Sequence, residues 1–127
     1  MPPSEETVKN KMHCLKMQGS EVFKIAIRTM ELAVKEVLRE SKLKVSDIDC
    51  LIPHQANQRI LQVVAERLEL PSEKVYINVD RYGNMSSAST VVALYEAVKT
   101  GKIKKGDNVV LVAFGGGLTW ASTLIKW

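Results

Sequence analysis

The sequence has no long apolar run, and this absence argues against a membrane protein. None of its apolar stretches approaches the roughly 20 residues that a membrane-spanning helix needs. The N-terminal stretch MPPSEETVKN also has no basic segment followed by an apolar one, so we expect no secretory signal and a cytoplasmic protein. The 127 residues are enough for one domain with its own hydrophobic core.

Cysteine is scarce, and the two cysteines lack the spacing of a metal or redox site. Cys14 and Cys50 each lie within an apolar, strand-like run, where we expect a small buried hydrophobic side chain. There is no CxxC motif and no metal-type spacing of cysteine and histidine, so we expect no metal. Neither thiol lies at a helix start that would expose and acidify it, and we therefore expect neither to be a nucleophile.

A concentrated block of basic residues is also missing. The net charge is +4, but the lysines and arginines are spread over the predicted helices. This distribution gives little support to nucleic-acid binding, so we expect no nucleic-acid partner. A mildly basic surface suits an acidic partner such as a phosphorylated cofactor or an acidic carrier protein.

Apolar periodicity divides the chain into alternating strands and helices. We expect residues 1–11 to be frayed and residues 12–127 to form the domain. The pattern predicts strands at residues 12–18, 49–53, 75–79, 109–114 and 118–127, and helices at residues 21–40, 55–69 and 86–100. The order βαβαβαββ predicts an α/β fold with a mainly parallel central sheet covered by helices. The last two strands are expected to be antiparallel because their connection is short.

Three loops that follow predicted strands carry residues suited to chemistry. His54 follows the second strand, Asn84 follows the third, and a triple glycine at 115–117 follows the fourth. If these strands are parallel, the three loops lie at one edge of the sheet, where α/β folds place their sites. A neutral imidazole and a carboxamide can each donate a hydrogen bond to a carbonyl oxygen and stabilise it as an enolate. Glycine amides can do the same for a second oxyanion.

Each of these residues also has a structural interpretation. A single histidine after a strand is more often packed than catalytic. Asn84 suits a tight turn with a positive φ, and three glycines can form a flexible hairpin loop. The small residues SSAS at 86–89 are interpreted as a helix cap that packs closely, without a catalytic role.

Four segments together resemble one protein family. MQGSEVFK, LIPHQANQRI, RYGNMSSAS and VAFGGGLTWAS are similar, in order and spacing, to the C-terminal half of β-ketoacyl-acyl carrier protein synthase III, a condensing enzyme of the thiolase superfamily. The likeness covers residues 12–127. It implies a thiolase-like half-fold, one of two similar βαβαβαββ halves in the complete enzyme. The family enzyme joins an acyl-CoA, usually acetyl-CoA, to malonyl-acyl carrier protein and so initiates fatty acid biosynthesis.

The resemblance also implies roles for individual residues. His54 and Asn84 would be two members of a Cys-His-Asn triad, binding the malonyl thioester carbonyl and stabilising its enolate. The backbone of Gly116 would contribute to the oxyanion hole. The residues implied to line the pantetheine tunnel or the active centre are Met17, Gly19, Asn57 and Phe114. Those implied to meet the acidic carrier protein or the CoA phosphates are Lys24, Arg59 and Arg67.

The nucleophilic cysteine belongs to the family's other half, which this sequence does not contain. We therefore expect a fragment, a split-gene product that needs a complementary N-terminal chain, or a chain that pairs with itself. In solution we expect a homo- or hetero-oligomer. No permanently bound cofactor is implied, because CoA and carrier-protein phosphopantetheine thioesters are the substrates. Two alternatives stay open: a starter condensing enzyme of another pathway, of polyketide, quinolone or hydroxymethylglutaryl-CoA synthase type, and a non-catalytic module that binds CoA or carrier protein.

Overall fold

The computed structural model describes residues 2–14 and 16–127, which form a mixed sheet flanked by helices. The sheet contains β1 (Cys50–Pro53), β2 (Asn108–Gly115) and β3 (Thr119–Lys126), in the spatial order β1-β2-β3. β1 pairs with β2 in parallel, and β2 pairs with β3 antiparallel over its whole length. The antiparallel arrangement predicted for the last two strands is confirmed.

The helices differ greatly in length. They are α1 (Glu5–Lys9), α2 (Gly19–Glu40), α3 (Gln58–Arg67), α4 (Val79–Tyr82) and α5 (Ala88–Lys99), with single 3₁₀ turns at Val45–Asp47 and Ser72–Lys74. The three long helices match the predicted ones; the end of α2 is unchanged, and the other five boundaries move by one to three residues, as helix ends do. No helix within residues 2–14 and 16–127 combines the length and apolar character required to cross a membrane.

The core has two parts because successive strand residues point to opposite faces of the sheet. On one face, Leu51 and Val110 pack with the apolar sides of α2 and α3, represented by Val34 and Val64. The other face carries the buried residues Cys50, Ile52, Ala93, Ala97, Ile103 and Val109, which place α5 against β1 and β2. Helices on both faces of the sheet confirm the predicted α/β half-fold.

The strand predicted at residues 12–18 is wrong for the part that the structure describes; Leu15 lies outside it. Residues 12–14 form a turn in which the Met12 amide donates to Thr7 and the Cys14 amide to Lys11. The side chains of Met12 and Met17 are exposed, so the alternating pattern has no core to face. A strand needs a paired neighbour and a buried face, and this segment has neither among the described residues. The segment before it, expected to be frayed, contains α1. A capping box between Ser4 and Thr7 caps the N-terminus of this helix.

The strand predicted at residues 75–79 is reduced to one bridge. Val75 pairs with Leu51 in parallel, and the Tyr76 amide donates to the Leu51 carbonyl at 2.9 Å. The chain then leaves the sheet, and α4 begins at Val79, the last residue of the predicted strand. Pro53 has no N–H to donate to a further ladder bond, and the side chain of Gln55 instead bonds the Tyr76 carbonyl and the Asn78 amide. The parallel part of the sheet is therefore short.

Candidate active site

His54 lies where the parallel strands end, at the mouth of a shallow cleft. It follows Pro53, the last residue of β1, and its backbone amide donates to the Val112 carbonyl at 2.7 Å, which continues the ladder by one step. The cleft has a volume of about 330 Å³, and besides His54 it is lined by Ser86, Ser87, Thr90, Phe114, Gly115 and Trp120. His54 thus lies at the carboxyl edge of the sheet, as the sequence predicts.

The imidazole of His54 is partly buried and held through one ring nitrogen. Its Nδ1 lies 2.6 Å from the hydroxyl oxygen of Ser89, which is fully buried in the first turn of α5. Burial lowers the pKa of His54 below its ordinary value of 6.5, because a charged ring loses its hydration there. A neutral imidazole at pH 7 has one N–H donor and one bare nitrogen.

Gln55 holds the loop that carries His54. Its Nε2 donates to the Pro53 carbonyl at 2.8 Å and to the Tyr76 carbonyl at 3.1 Å, while its Oε1 accepts the Asn78 amide at 2.9 Å. The Gln55 side chain is fully buried. One carboxamide therefore bonds three backbone groups, of which those of Pro53 and Asn78 are buried.

A second polar cluster fixes α4 against α5. The Glu96 carboxylate accepts hydrogen bonds from Asn78 Nδ2 at 2.8 Å, Arg81 Nη2 at 2.8 Å and the Tyr82 hydroxyl at 2.6 Å. Asn78 is fully buried, and its Oδ1 has no hydrogen-bond partner within the described part of the chain. The cluster thus links α4, which directly precedes the loop containing Asn84, to α5.

Asn84 lies in an exposed turn between α4 and α5. Its Oδ1 accepts the Ser86 amide at 2.9 Å, a local contact that shapes the turn. The positive φ that the sequence suggested for Asn84 falls instead on Gly83, at 65°, and on Ser86, at 54°. No hydrogen bond joins Asn84 to His54 among residues 2–14 and 16–127, but Ser86 and His54 line the same cleft.

The three glycines lie at the end of β2 and in the turn that leads to β3. Gly115 is the last residue of β2 and lines the cleft, whereas Gly116 lies one residue further into the turn. Gly117 has a φ of 77°, which favours glycine. The Gly116 carbonyl accepts a hydrogen bond from the Thr119 hydroxyl at 3.1 Å. The turn thus comes to the edge where His54 lies.

The residues predicted to line a pantetheine tunnel are only partly brought together. Phe114 lies in the cleft with His54. Asn57 is the N-cap of α3, and its Oδ1 accepts the Arg59 amide at 2.9 Å. Gly19 is the first residue of α2, and Met17, just before it, is 65% exposed. These positions border open surface and do not form a closed tunnel in the described chain.

The basic residues predicted to meet a carrier protein separate into two places. The Arg59 guanidinium lies 5.4 Å from the ring centre of Phe23, so the first turn of α3 contacts the start of α2, where Lys24 also lies. Lys24 pairs with Glu21 at 3.0 Å on the exposed surface. Arg67 is at the other end of α3, about 12 Å along the helix axis from Arg59, and pairs with Glu31 at 3.1 Å.

Comparison with known proteins decides the family. The family described as 3-oxoacyl-[acyl-carrier-protein (ACP)] synthase III C terminal matches residues 38–127. The chain belongs to this family. This result confirms the resemblance and the thiolase-like half-fold that it implied.

Individual relatives extend the match over nearly the whole chain. A β-ketoacyl-[acyl-carrier-protein] synthase III of Clostridioides difficile is 56% identical over 124 residues, which cover 98% of this chain and 38% of that protein. The enzyme of the same name from Caldanaerobacter subterraneus is 55% identical over 127 residues, covering 100% of this chain and 38% of its own length. The crystal structure of 3-oxoacyl-[acyl-carrier-protein] synthase III from Aquifex aeolicus aligns with a TM-score of 0.87 and 47% identity, over 88% of this chain and 36% of that one. The chain therefore spans a little over a third of the length of these synthase III relatives.

The two cysteines of this synthase III segment are placed differently from each other. Cys50 is buried in β1, and burial raises the pKa of its thiol to about 11, which opposes a nucleophilic role. Cys14 is exposed, so the expectation that it is buried is wrong. Its run of residues does not form the strand that would have buried it.

Sequence reasoning missed Gln55 and Ser89 as parts of the site. The SSAS pattern predicts a helix cap, but Ser87 at the N-cap makes no side-chain capping bond, and Ser89 contacts His54 instead. The sequence contains no local signal that separates Ser89 from Ser86 or Ser87. The signal for Gln55 is weak but real: a long amide directly after a buried strand needs partners for its polar atoms.

Proposed function

We propose that this chain is the His/Asn half of a 3-oxoacyl-[acyl-carrier-protein] synthase III, with residues 12–127 as its domain. Together with a half that carries a nucleophilic cysteine, it condenses an acyl-CoA with malonyl-acyl carrier protein in the first condensation of fatty acid synthesis. The observation that carries the proposal is His54, a neutral imidazole held at the carboxyl edge of the parallel strands. Membership of the synthase III family supports the choice of reaction.

In the proposed reaction the acyl group first moves from CoA to the cysteine of the other half, and CoA leaves as the thiol. Malonyl-carrier protein then binds with its thioester carbonyl accepting hydrogen bonds from His54 Nε2 and Asn84 Nδ2. The bond to the terminal carboxylate breaks, carbon dioxide leaves, and the electron pair forms an enolate whose oxygen these donors stabilise. The enolate carbon attacks the acyl thioester, the Gly116 amide stabilises the tetrahedral oxyanion, and the cysteine thiolate is released.

The proposed substrates are thioesters on phosphopantetheine, so no permanently bound cofactor is required. Met17, Gly19, Asn57 and Phe114 are proposed to border the pantetheine arm. Lys24 and Arg59, which lie at neighbouring helix starts, support an anionic contact there with the carrier protein or the CoA phosphates. Arg67 is the weakest member of the proposed rim, because it lies at the far end of α3 in a pair with Glu31.

The proposed cysteine-bearing half would cover an apolar surface that this chain leaves open. Leu118 and Trp120, at the end of the sheet beside the cleft, are 49% and 56% exposed. On α5, Val91 and Tyr95 are 67% and 62% exposed. Large apolar side chains with this much exposure support a protein contact. β3 is also an edge strand, with backbone groups available for pairing.

The decisive experiment separates the two half-reactions in a complex of this chain with a cysteine-bearing half. We expect His54→Ala to lower the rate of malonyl decarboxylation by at least about 100-fold, the loss typical of one oxyanion donor. Acylation of the cysteine by acyl-CoA is expected to change little, because His54 acts on the malonyl thioester. The measurements are release of carbon dioxide from malonyl-carrier protein and formation of the acyl-enzyme by mass spectrometry.

The matched control is His13→Ala, which removes the only other histidine. It should leave both half-reactions unchanged. An equal loss of acylation and decarboxylation in His54→Ala would contradict the proposed role and indicate a folding role. Condensation by the isolated chain would contradict the need for a second half, whereas binding of CoA or carrier protein without turnover in the complex would favour a non-catalytic module.

A further inference from the structure

The contact between Ser89 and His54 determines which nitrogen of the histidine ring carries the hydrogen. Ser89 Oγ lies 2.6 Å from His54 Nδ1 and 3.2 Å from the Gln55 amide nitrogen, and the side chain of Ser89 is fully buried. A hydroxyl has one hydrogen to donate and two lone pairs to accept with. The direction of the two bonds therefore follows from counting hydrogens.

The Gln55 contact can run in only one direction. A backbone N–H donates, so Ser89 Oγ is the acceptor in that bond. The Ser89 hydrogen then needs an acceptor, since a buried hydroxyl without one is unfavourable. Within the described residues, His54 Nδ1 is the one acceptor that Ser89 reaches with its side chain. The hydroxyl therefore donates to a bare Nδ1, and the ring hydrogen of neutral His54 is on Nε2.

We infer that Ser89 is a positioning residue that holds His54 as the Nε2–H tautomer, so that the ring presents a hydrogen-bond donor to the cleft. Its significance for catalysis rests on the proposed function, because an enolate oxygen needs a donor and not a lone pair. The opposite tautomer would point a bare nitrogen at the developing negative charge and leave the Ser89 hydroxyl without an acceptor. Ser89 itself need not touch the substrate.

His13 provides an internal control with the opposite expected tautomer. Its Nδ1 lies 3.3 Å from the Thr7 carbonyl oxygen, which can only accept. Neutral His13 therefore carries its ring hydrogen on Nδ1. The chain has only these two histidines, so both ring patterns can be assigned in one spectrum.

The test is ¹⁵N NMR of the histidine-labelled 127-residue chain at about pH 8.5, where a histidine with an ordinary pKa is neutral. Nitrogen shifts of protonated and bare ring nitrogens are widely separated, and so identify the tautomer. We expect a bare Nδ1 and a protonated Nε2 for His54, and the reverse for His13. A protonated Nδ1 in wild-type His54 would overturn the inference without any variant.

Variants then show whether Ser89 is the cause. Ser89→Ala should convert the single His54 tautomer into a mixture, and Ser89→Thr, which keeps the hydroxyl, should restore it. Ser87→Ala is the matched control, because Ser87 lines the same cleft without a side-chain capping bond; it should leave the His54 pattern unchanged. A Ser89→Ala chain that folds and keeps a pure Nε2–H tautomer would show that Ser89 is merely structural.

Activity of the complemented enzyme distinguishes this inference from the proposed function. Ser89→Ala is expected to lower kcat for malonyl decarboxylation about tenfold, on the scale of one hydrogen bond, with little change in KM. Full activity in Ser89→Ala would overturn the positioning role. A confirmed tautomer in a complemented enzyme that does not decarboxylate malonyl-carrier protein would overturn the proposed function and leave the geometry of Ser89 intact.

Discussion

The loop around His54 and the loops that carry Asn84 and Gly116 are built in opposite ways. The first is held by contacts distant in sequence: the His54 amide binds β2, the ring binds α5, and Gln55 reaches the segment before α4. The other two loops are exposed, and within the described residues their side-chain hydrogen bonds are local, one to Ser86 and one to Thr119.

This difference shows that one chain supplies preorganisation for only one side of the proposed site. Hydrogen bonds to buried partners orient the His54 ring, so the ring loses little conformational freedom when a substrate binds. The donors on Asn84 and Gly116 lie on loops that retain more freedom. We therefore expect the cysteine-bearing half to order these loops, and the following measurements probe the contrast from the largest expected effect to the smallest.

Amide hydrogen exchange should show the contrast most strongly. The amides of His54 and Asn78 donate to Val112 and to buried Gln55, so they exchange only through substantial opening. The Asn84 and Gly116 amides have no backbone partner within the described ranges. We expect the first pair to exchange at least about a thousandfold more slowly. Comparable protection of both pairs in the isolated chain would remove the distinction between the two regions.

Substitution of Gln55 should cause the largest change in stability. Gln55→Met keeps the length of the side chain but removes the hydrogen bonds to three backbone groups, two of which are buried, so we expect the free energy of unfolding to fall by about 3 kcal/mol. Urea denaturation measures this change.

The control is Gln62→Met, because Gln62 is exposed on α3; it should change stability by less than about 0.5 kcal/mol. Equal effects of the two variants would show that the Gln55 hydrogen bonds do not stabilise the loop.

Asn84→Ala should have a smaller effect on stability than on chemistry. It removes one exposed turn contact to the Ser86 amide, and we expect a loss of at most about 1 kcal/mol. In the complemented enzyme the same change should greatly lower malonyl decarboxylation. A loss of stability as large as that of Gln55→Met would mean that the turn is part of the folding core.

The pH dependence of stability should show the smallest effect, because it depends on one partly buried ring. The pKa of His54 is lowered by burial, so between that value and 6.5 the unfolded chain binds more protons than the folded chain. Stability therefore falls as the pH falls through this window, and His54 adds no pH dependence above it.

Urea denaturation at a series of pH values measures the difference between wild type and His54→Gln. The slope in the window should be smaller in this variant than in wild type. A slope that His54→Gln leaves unaltered would contradict the burial effect on the histidine.

Local patterns in the sequence predict two kinds of element: those that pair with a segment nearby in sequence, and those with an unbroken apolar face. The apolar spacing that includes Ala26, Met30 and Val34 identifies α2, and β2 and β3 follow from apolar runs around glycines. His54 at a strand end is predicted for the same reason. The strand at residues 12–18 fails because alternation alone does not provide a paired neighbour.

The contacts that organise the site are long-range, and for that reason the sequence does not reveal them. Ser89 is 35 residues from His54, and Gln55 binds groups 21 and 23 residues away. The same serine in a free helix would act as a turn or cap residue. Only the packing of α5 against β1 brings it to the imidazole. The predicted strand at residues 75–79 is short for a related reason. The side chain of Gln55, from another segment, bonds the Tyr76 carbonyl and the Asn78 amide.

The unequal accessibility of the two cysteines gives this chain a selective chemical label. A thiol-reactive dye should modify Cys14, which is exposed, and leave Cys50 within β1 unmodified. A fluorophore on Cys14 would then report docking of a second chain from outside the cleft. Cys14→Ser, which lacks the exposed thiol, is the control for this labelling.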